Sequence, residues 1–311
     1  MNESRVGRWL FVPAAPSVLA VVRIAVGVYA LGWLAFTSSE LLGLGRLDPA
    51  RFEPVGIVAL SGIGPAFTAT LGVVVAGTAL AAMAVVLGWR HRVSGPMFAL
   101  GLLWLTTYQN SWSKLLHTEN VLVLHALVLA IAPAADAWSI RTRRSGPEPA
   151  SERYGWPLRV MALTTVLSYV TASVTKMRHG GLAWFDPGNL RNWLAYDLVR
   201  KELFGDPYLR LAVPALRHPW LLAPAILATL AIELGAPIAL TGPRAAVVWV
   251  RAAWTFHLAV LATMSVAFPY QLLGIAFLPV ILSSRLPSAV PRLGRQTSHV
   301  APVARSGAVP D

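Results

Sequence analysis

The sequence predicts an all-α protein, a polytopic integral membrane helical bundle of about eight transmembrane helices. Three observations carry that expectation. Of the 311 residues, 56% are hydrophobic and only 13% charged, about half the charged share of a soluble domain. Apolar runs of the ~20 residues needed to cross a bilayer recur along the chain. The formal charge of +12 is concentrated between those runs, as in cytoplasmic loops that face anionic lipid. Membrane lipids are therefore expected partners and nucleic acid is not. Cysteine is absent, which excludes disulfides, thiolate metal sites and a cysteine nucleophile.

The first apolar run, 14–36, follows Arg5 and Arg8. It is long enough to span and no small-residue cleavage site follows, so it reads as a retained helix. The second, 65–88, carries no charge, and a third covers 94–112. The fourth, 117–135, is amphipathic at its start and broken by Pro133. The fifth, 157–176, ends on Lys176. Runs at 220–241 and 246–268 follow, and a Phe-Pro-Tyr-Gln turn leads into a shorter one at 270–284.

Arginines in short loops orient the bundle. With the N-terminus inside, Arg5, Arg8, Arg90, Arg92, Arg141, Arg143, Arg144, Arg153, Arg244 and Arg285 fall on the cytoplasmic side. Both termini are then expected in the cytoplasm, across a bacterial cytoplasmic membrane. Residues 1–285 form one transmembrane domain. Within it, 177–219 is an external segment rich in aromatics (Trp184, Phe185, Trp193, Tyr196, Phe204, Tyr208), expected to fold as short helices on the outer surface. Residues 141–156 read as a linker, and 286–311, rich in Pro, Ser, Ala and Arg, as a disordered cytoplasmic tail.

Lys176 stands out among the polar residues. The chain uses lysine only at 114, 176 and 201, against 23 arginines. A lysine amine can be brought to neutrality by burial, whereas a guanidinium stays charged. Lys176 is therefore either a base or a cation snorkelling from a helix end. A second polar cluster runs Asn110-Ser-Trp-Ser-Lys114-Leu-Leu-His117-Thr-Glu119-Asn120, followed by His125. Lys114 and His117 fall at helical spacing, and imidazole is suited to proton exchange near neutral pH. The bland alternative is a wet turn capping the next helix, with Thr118 or Asn120 as N-cap. Arg23, Glu233, Arg251 and His257 lie deeper, where charges pair or face cavities. Counting along the helices places Glu233 level with Arg23 and Arg251, so an ion pair with one of them is expected. His257 and His125 would line a cavity or bond a neighbouring helix.

Four segments in order carry a resemblance: 110–120, Ala-Pro-Ala-Ala-Asp-Ala-Trp-Ser (132–139), Tyr-Val-Thr-Ala-Ser-Val-Thr-Lys-Met-Arg-His-Gly-Gly-Leu-Ala-Trp-Phe (169–185) and Phe-His-Leu-Ala-Val-Leu-Ala-Thr-Met-Ser-Val-Ala-Phe-Pro-Tyr (256–270). Together they resemble the HTTM family, the membrane domain shared with vitamin K-dependent gamma-glutamyl carboxylase, along most of 10–285. The resemblance implies that Lys176 is the base that deprotonates a reduced quinone of vitamin K or menaquinol type, assisted by His117. Oxygen and carbon dioxide would then be consumed and the quinone epoxide released. Asn110, Lys114, Asn120, Trp184 and His257 become the candidate cofactor-binding residues, and no metal is expected. Two departures bear on substrate. Little sequence follows the last helix, and Ser173-Val174-Thr175 replaces the family's more regular small residue before the lysine. Peptide carboxylation is therefore not carried over. The competing expectation is a non-enzymatic membrane accessory protein for maturation, export or immunity of a secreted peptide. A solute transporter is a third class, but no matched pair of broken helices supports it.

Overall fold

The computed structural model describes residues 4–112, 116–140, 149–206 and 213–286. Ser113, Lys114, the arginines at 141, 143 and 144, Tyr208 and the expected tail from 287 onward lie outside the described residues. Among the described residues there is no strand, only an isolated antiparallel bridge between Ala14 and Ser151. In chain order the helices are α1 (Arg5–Leu10), α2 (Pro16–Gly43), α3 (Gly56–Ser61), α4 (Thr68–Leu87), α5 (His91–Asn110), α6 (Asn120–Ile131) and α7 (Glu152–Gly180). There follow α8 (Pro187–Phe204), α9 (Val213–Arg217), α10 (Leu222–Leu234), α11 (Pro243–Met264), α12 (Pro269–Leu272) and α13 (Leu278–Ser284). Single 3-10 turns at Gly181–Phe185 and Ala236–Leu240 follow α7 and α10.

Local chemistry sets several boundaries. Pro16 and Pro243 open α2 and α11, where an amide N–H has no helical partner to lose. Ser151 caps α7 by accepting from the Arg153 amide at 3.4 Å. Gly88 ends α4 in the left-handed conformation that glycine adopts without a Cβ penalty. The expected caps of α6 are not used: Glu119 holds the N-cap position, and its side chain caps no backbone amide. The Thr118 hydroxyl donates to the Glu119 carboxylate instead.

Among the described residues four helical stretches are long and apolar enough to cross a membrane: Pro16–Arg46, Thr68–Leu87, Glu152–Phe185 and Pro243–Met264. Helices also occur at the other four expected spans, but they fall short. α5 has 20 residues yet opens on His91-Arg92 and closes on Tyr-Gln-Asn. α6 has 12 residues, α10 has 13 and α13 has 7, so at 1.5 Å per residue none covers a ~30 Å core alone. Among the described residues the structure thus shows four helices of spanning length and does not confirm the expected count of about eight.

Two apolar clusters meet on α7. The larger packs α2, α4, α5 and α6 against the first turns of α7, with Leu19, Val26, Leu71, Phe98, Leu102, Leu122, Leu158 and Met161 at its centre. The smaller joins the middle of α7 (Ala162, Val166, Tyr169) to the Ala236–Leu240 turn, α11 (Ala246, Trp249, Ala253) and α13 (Val280). A satellite of Leu194, Leu198 and Leu222 seats α8 on α10. α7 therefore has its second half free to present polar groups toward α10 and α11. The 177–219 segment is helical where described, but its main element, α8, runs for 18 residues.

Candidate functional site around Lys176

Tyr169, Ser173 and Lys176 are spaced at i, i+4 and i+7, which aligns them on one face of α7. That face looks onto Glu233 near the end of α10 and His257 on α11. The Lys176 ammonium donates to the Glu233 carboxylate through Oε1, with the lysine side chain 23% exposed and the glutamate only 4%. Side chains on a helix lean toward its N-terminus. The lysine stem therefore carries the amine back from the end of α7 to the depth of Glu233. The ammonium also lies 5.8 Å from the centre of the Trp184 ring, within cation–π range. Trp184 reaches it because the 3-10 turn folds back over Gly180, where a Cβ would come within 2.2 Å of the indole.

Below this pair, the Tyr169 hydroxyl and His257 Nε2 are 2.7 Å apart. The Glu233 carboxylate lies within electrostatic reach of the same phenol. Ser173 Oγ approaches that carboxylate, but neither it nor Glu233 Oε2 completes a well-formed hydrogen bond with the protein, and His257 Nδ1 has no partner either. All three residues are at most 4% exposed. Buried polar atoms left unsatisfied cost about 1–3 kcal/mol each, so finding three of them together makes this place a candidate site. Its walls are aromatic. Trp249 meets Tyr169 at 5.0 Å between ring centres, and Phe268 lies 4.8 Å from His257 and 5.6 Å from His117.

The residues singled out from sequence divide accordingly. Lys176, Trp184 and His257 belong to this cluster. His117 is exposed and meets it through the Phe268 ring. Asn110 is occupied elsewhere: its amide donates to the Leu116 carbonyl at 2.9 Å and accepts from the Leu116 amide at 2.7 Å, closing the turn. Asn120 is the exposed first residue of α6, and Lys114 lies outside the described residues. His125 has both nitrogens engaged, Nδ1 with the Tyr270 hydroxyl at 2.8 Å and Nε2 with the Met161 carbonyl and Thr165 hydroxyl at 3.0 Å. It joins α6, α7 and α12. Among the described residues no group of His, Asp and Glu could hold a metal ion.

The expected pairing of Glu233 with Arg23 or Arg251 is corrected. Glu233 is bound to Lys176, and Arg251 is exposed. Arg23 is fully buried in a cage of carbonyls, donating to Ala134 at 2.7 Å, Ala137 at 3.1 Å, Trp138 at 2.6 Å and Val86 at 3.4 Å. Residue counting along a continuous 220–241 helix placed Glu233 at the wrong level. α10 stops at Leu234 and a 3-10 turn follows, so Glu233 sits at a helix end that faces the far part of α7. Tyr169, Ser173 and Phe268 were not singled out from sequence. The first two were visible in principle, since they recur with Lys176 at helical spacing.

With this geometry in place, the comparison with known families is specific. The family model for the HTTM domain matches residues 11–284, and the chain belongs to that family of membrane proteins. No curated protein and no solved structure matches the chain.

Proposed function

We propose that this protein is a hydroquinone-dependent membrane enzyme in which Lys176 is the base. The observation that supports this reading is the contact of Lys176 with Glu233 beneath an indole, surrounded by unpartnered buried polar atoms. A lysine beside a carboxylate inside an apolar wall can pass its proton to that carboxylate, giving a second state of amine with carboxylic acid, because burial disfavours charge. In the second state the amine can take a hydroxyl proton. The O–H bond of the ligand breaks, an N–H bond forms on Lys176, and Glu233 has already received the proton the ammonium gave up. Trp184 and Phe268 supply flat apolar surfaces for a ring, and His257 Nδ1 and Ser173 Oγ supply polar atoms for its oxygens. A reduced quinone fits that combination of aromatic walls and polar ends. When bound it would supply reducing electrons for reaction with oxygen.

His117, against Phe268, assists at the rim of the site, with Asn110, Lys114 and Asn120 near it in sequence. In this reading the bundle lies in a bacterial cytoplasmic membrane with both termini inside, and the shorter helices α5, α6, α10 and α13 complete about eight membrane crossings. Residues 177–219 then cover the site from the external face. The test uses purified protein in liposomes with menaquinol-4 as probe and oxygen uptake as readout. Lys176→Arg keeps the charge and cannot accept a proton, so it should insert normally and lose uptake by at least the 10²-fold typical of a missing general base. No uptake by the wild type, or full uptake by Lys176→Arg, overturns the proposal in favour of an accessory role for a secreted peptide.

A further inference from the structure

Arg159 presents a problem that the Lys176 site does not explain. It sits on the second turn of α7 and is only 6% exposed, and its Nε has no partner. Among the described residues its guanidinium meets neither a carboxylate nor a carbonyl. It does lie over the Trp9 ring, whose centre is 4.8 Å from the guanidinium carbon. Arg23 also leaves its Nε without a partner, but its two terminal nitrogens donate to four carbonyls. A guanidinium has five N–H donors, and a buried cation without an anion is costly.

The segment around Arg159 is built to hold Trp9 in place. Gly155 lies one turn earlier on the same face of α7, and a Cβ there would come within 1.6 Å of the Val12 carbonyl oxygen. Only glycine lets the chain after α1 press onto α7 at this point. The Ala14–Ser151 bridge, with N–O distances of 3.1 and 3.0 Å, fastens the same strip. Trp9 is thereby laid over Arg159. The rest of α1 and its C-cap is mixed in character: Arg5 and Arg8 are exposed, and so are Val6 at 71% and the C-cap Phe11 at 47%. Cations beside exposed apolar groups on a short helix are the composition of an interfacial element.

We propose that Arg159, roofed by Trp9 and flanked by α1, binds the phosphate of an anionic phospholipid. The planar guanidinium matches a phosphate bidentately and still stacks on the indole. Exposed Val6 and Phe11 would rest against acyl chains, which a soluble phosphate does not provide, so the lipid is the source that accounts for the whole surface. This inference does not depend on the chemistry proposed for Lys176.

The test is lipid retention by the full chain in detergent, read by native mass spectrometry after incubation with phosphatidylglycerol, phosphatidylcholine or inorganic phosphate. The wild type should retain phosphatidylglycerol in preference to phosphatidylcholine. Arg159→Gln should weaken that retention on the order of tenfold, the size of one hydrogen-bonded charged contact. Equal retention of both lipids, unchanged retention by Arg159→Gln, or displacement of the lipid by inorganic phosphate overturns the proposal. If Arg159→Gln does not fold, Trp9→Leu, which removes the roof, is measured in the same way. Undiminished preference for phosphatidylglycerol in that variant also overturns it.

Discussion

Arg23 on α2 and Lys176 on α7 are both held among apolar helices, but they are neutralised differently. Arg23 has no exposed surface and gives its hydrogen bonds to the carbonyls of Ala134, Ala137, Trp138 and Val86. Lys176 is partly exposed and gives its bond to one carboxylate oxygen of Glu233, whose second oxygen has no partner. Carbonyls satisfy a guanidinium without offering a place for its proton, and a guanidinium would not release one. A carboxylate beside an amine offers such a place. The first arrangement fixes the loop after α6 to α2 and α4; the second ties the end of α7 to α10.

The largest effect separating the two should come from Arg23. Arg23→Met removes the donors from several buried carbonyls, at about 1–3 kcal/mol for each one left unsatisfied. The expected outcome is near-complete loss of monodisperse protein on size exclusion, with no rescue by Glu233→Ala. Wild-type yield from Arg23→Met would mean that the cage contributes little. The next effect is a coupling. Lys176→Met and Glu233→Ala should each destabilise, toward the lower end of the ~3–5 kcal/mol for a broken buried pair because the lysine is partly exposed. The double variant should recover part of the loss, with a coupling of about 0.5–3 kcal/mol in a thermal double-mutant cycle. Additive losses in that cycle would show that the two side chains do not stabilise each other.

Much of this comparison was readable before the structure. Lys176 stands out by residue type, Trp184 and His257 enter through the family resemblance, and the structure brings the three into one cluster. The helices also follow the apolar runs, since hydropathy in windows of about 20 residues reports them directly. Partners were harder to read. The carbonyls around Arg23 belong to Ala134, Ala137 and Trp138, and a backbone oxygen leaves no mark in a sequence. The stretch 132–139 was visible as a motif, but its role in wrapping a guanidinium was not. Glu233 was misassigned because where a helix stops is less legible than that it exists.

The smallest effects should come from two tyrosine–histidine contacts, one in each region. Tyr270 bonds a histidine whose other nitrogen is also engaged, at His125. Tyr169 bonds a histidine whose other nitrogen has no partner, at His257. In the first, every polar atom of the imidazole has a fixed structural bond, so Tyr270→Phe should lower the melting temperature through an orphaned Nδ1, by about 1–3 kcal/mol, and leave menaquinol-4-dependent oxygen uptake intact. In the second, His257 already carries one unsatisfied nitrogen, as expected of a group arranged to meet a ligand. Tyr169→Phe should therefore change the apparent KM for menaquinol-4 more than it changes the melting temperature. If instead both variants lose the same stability and neither moves KM, the Tyr169–His257 contact is a packing joint like its counterpart, and the ligand-facing part of the site shrinks to Lys176, Glu233 and Trp184.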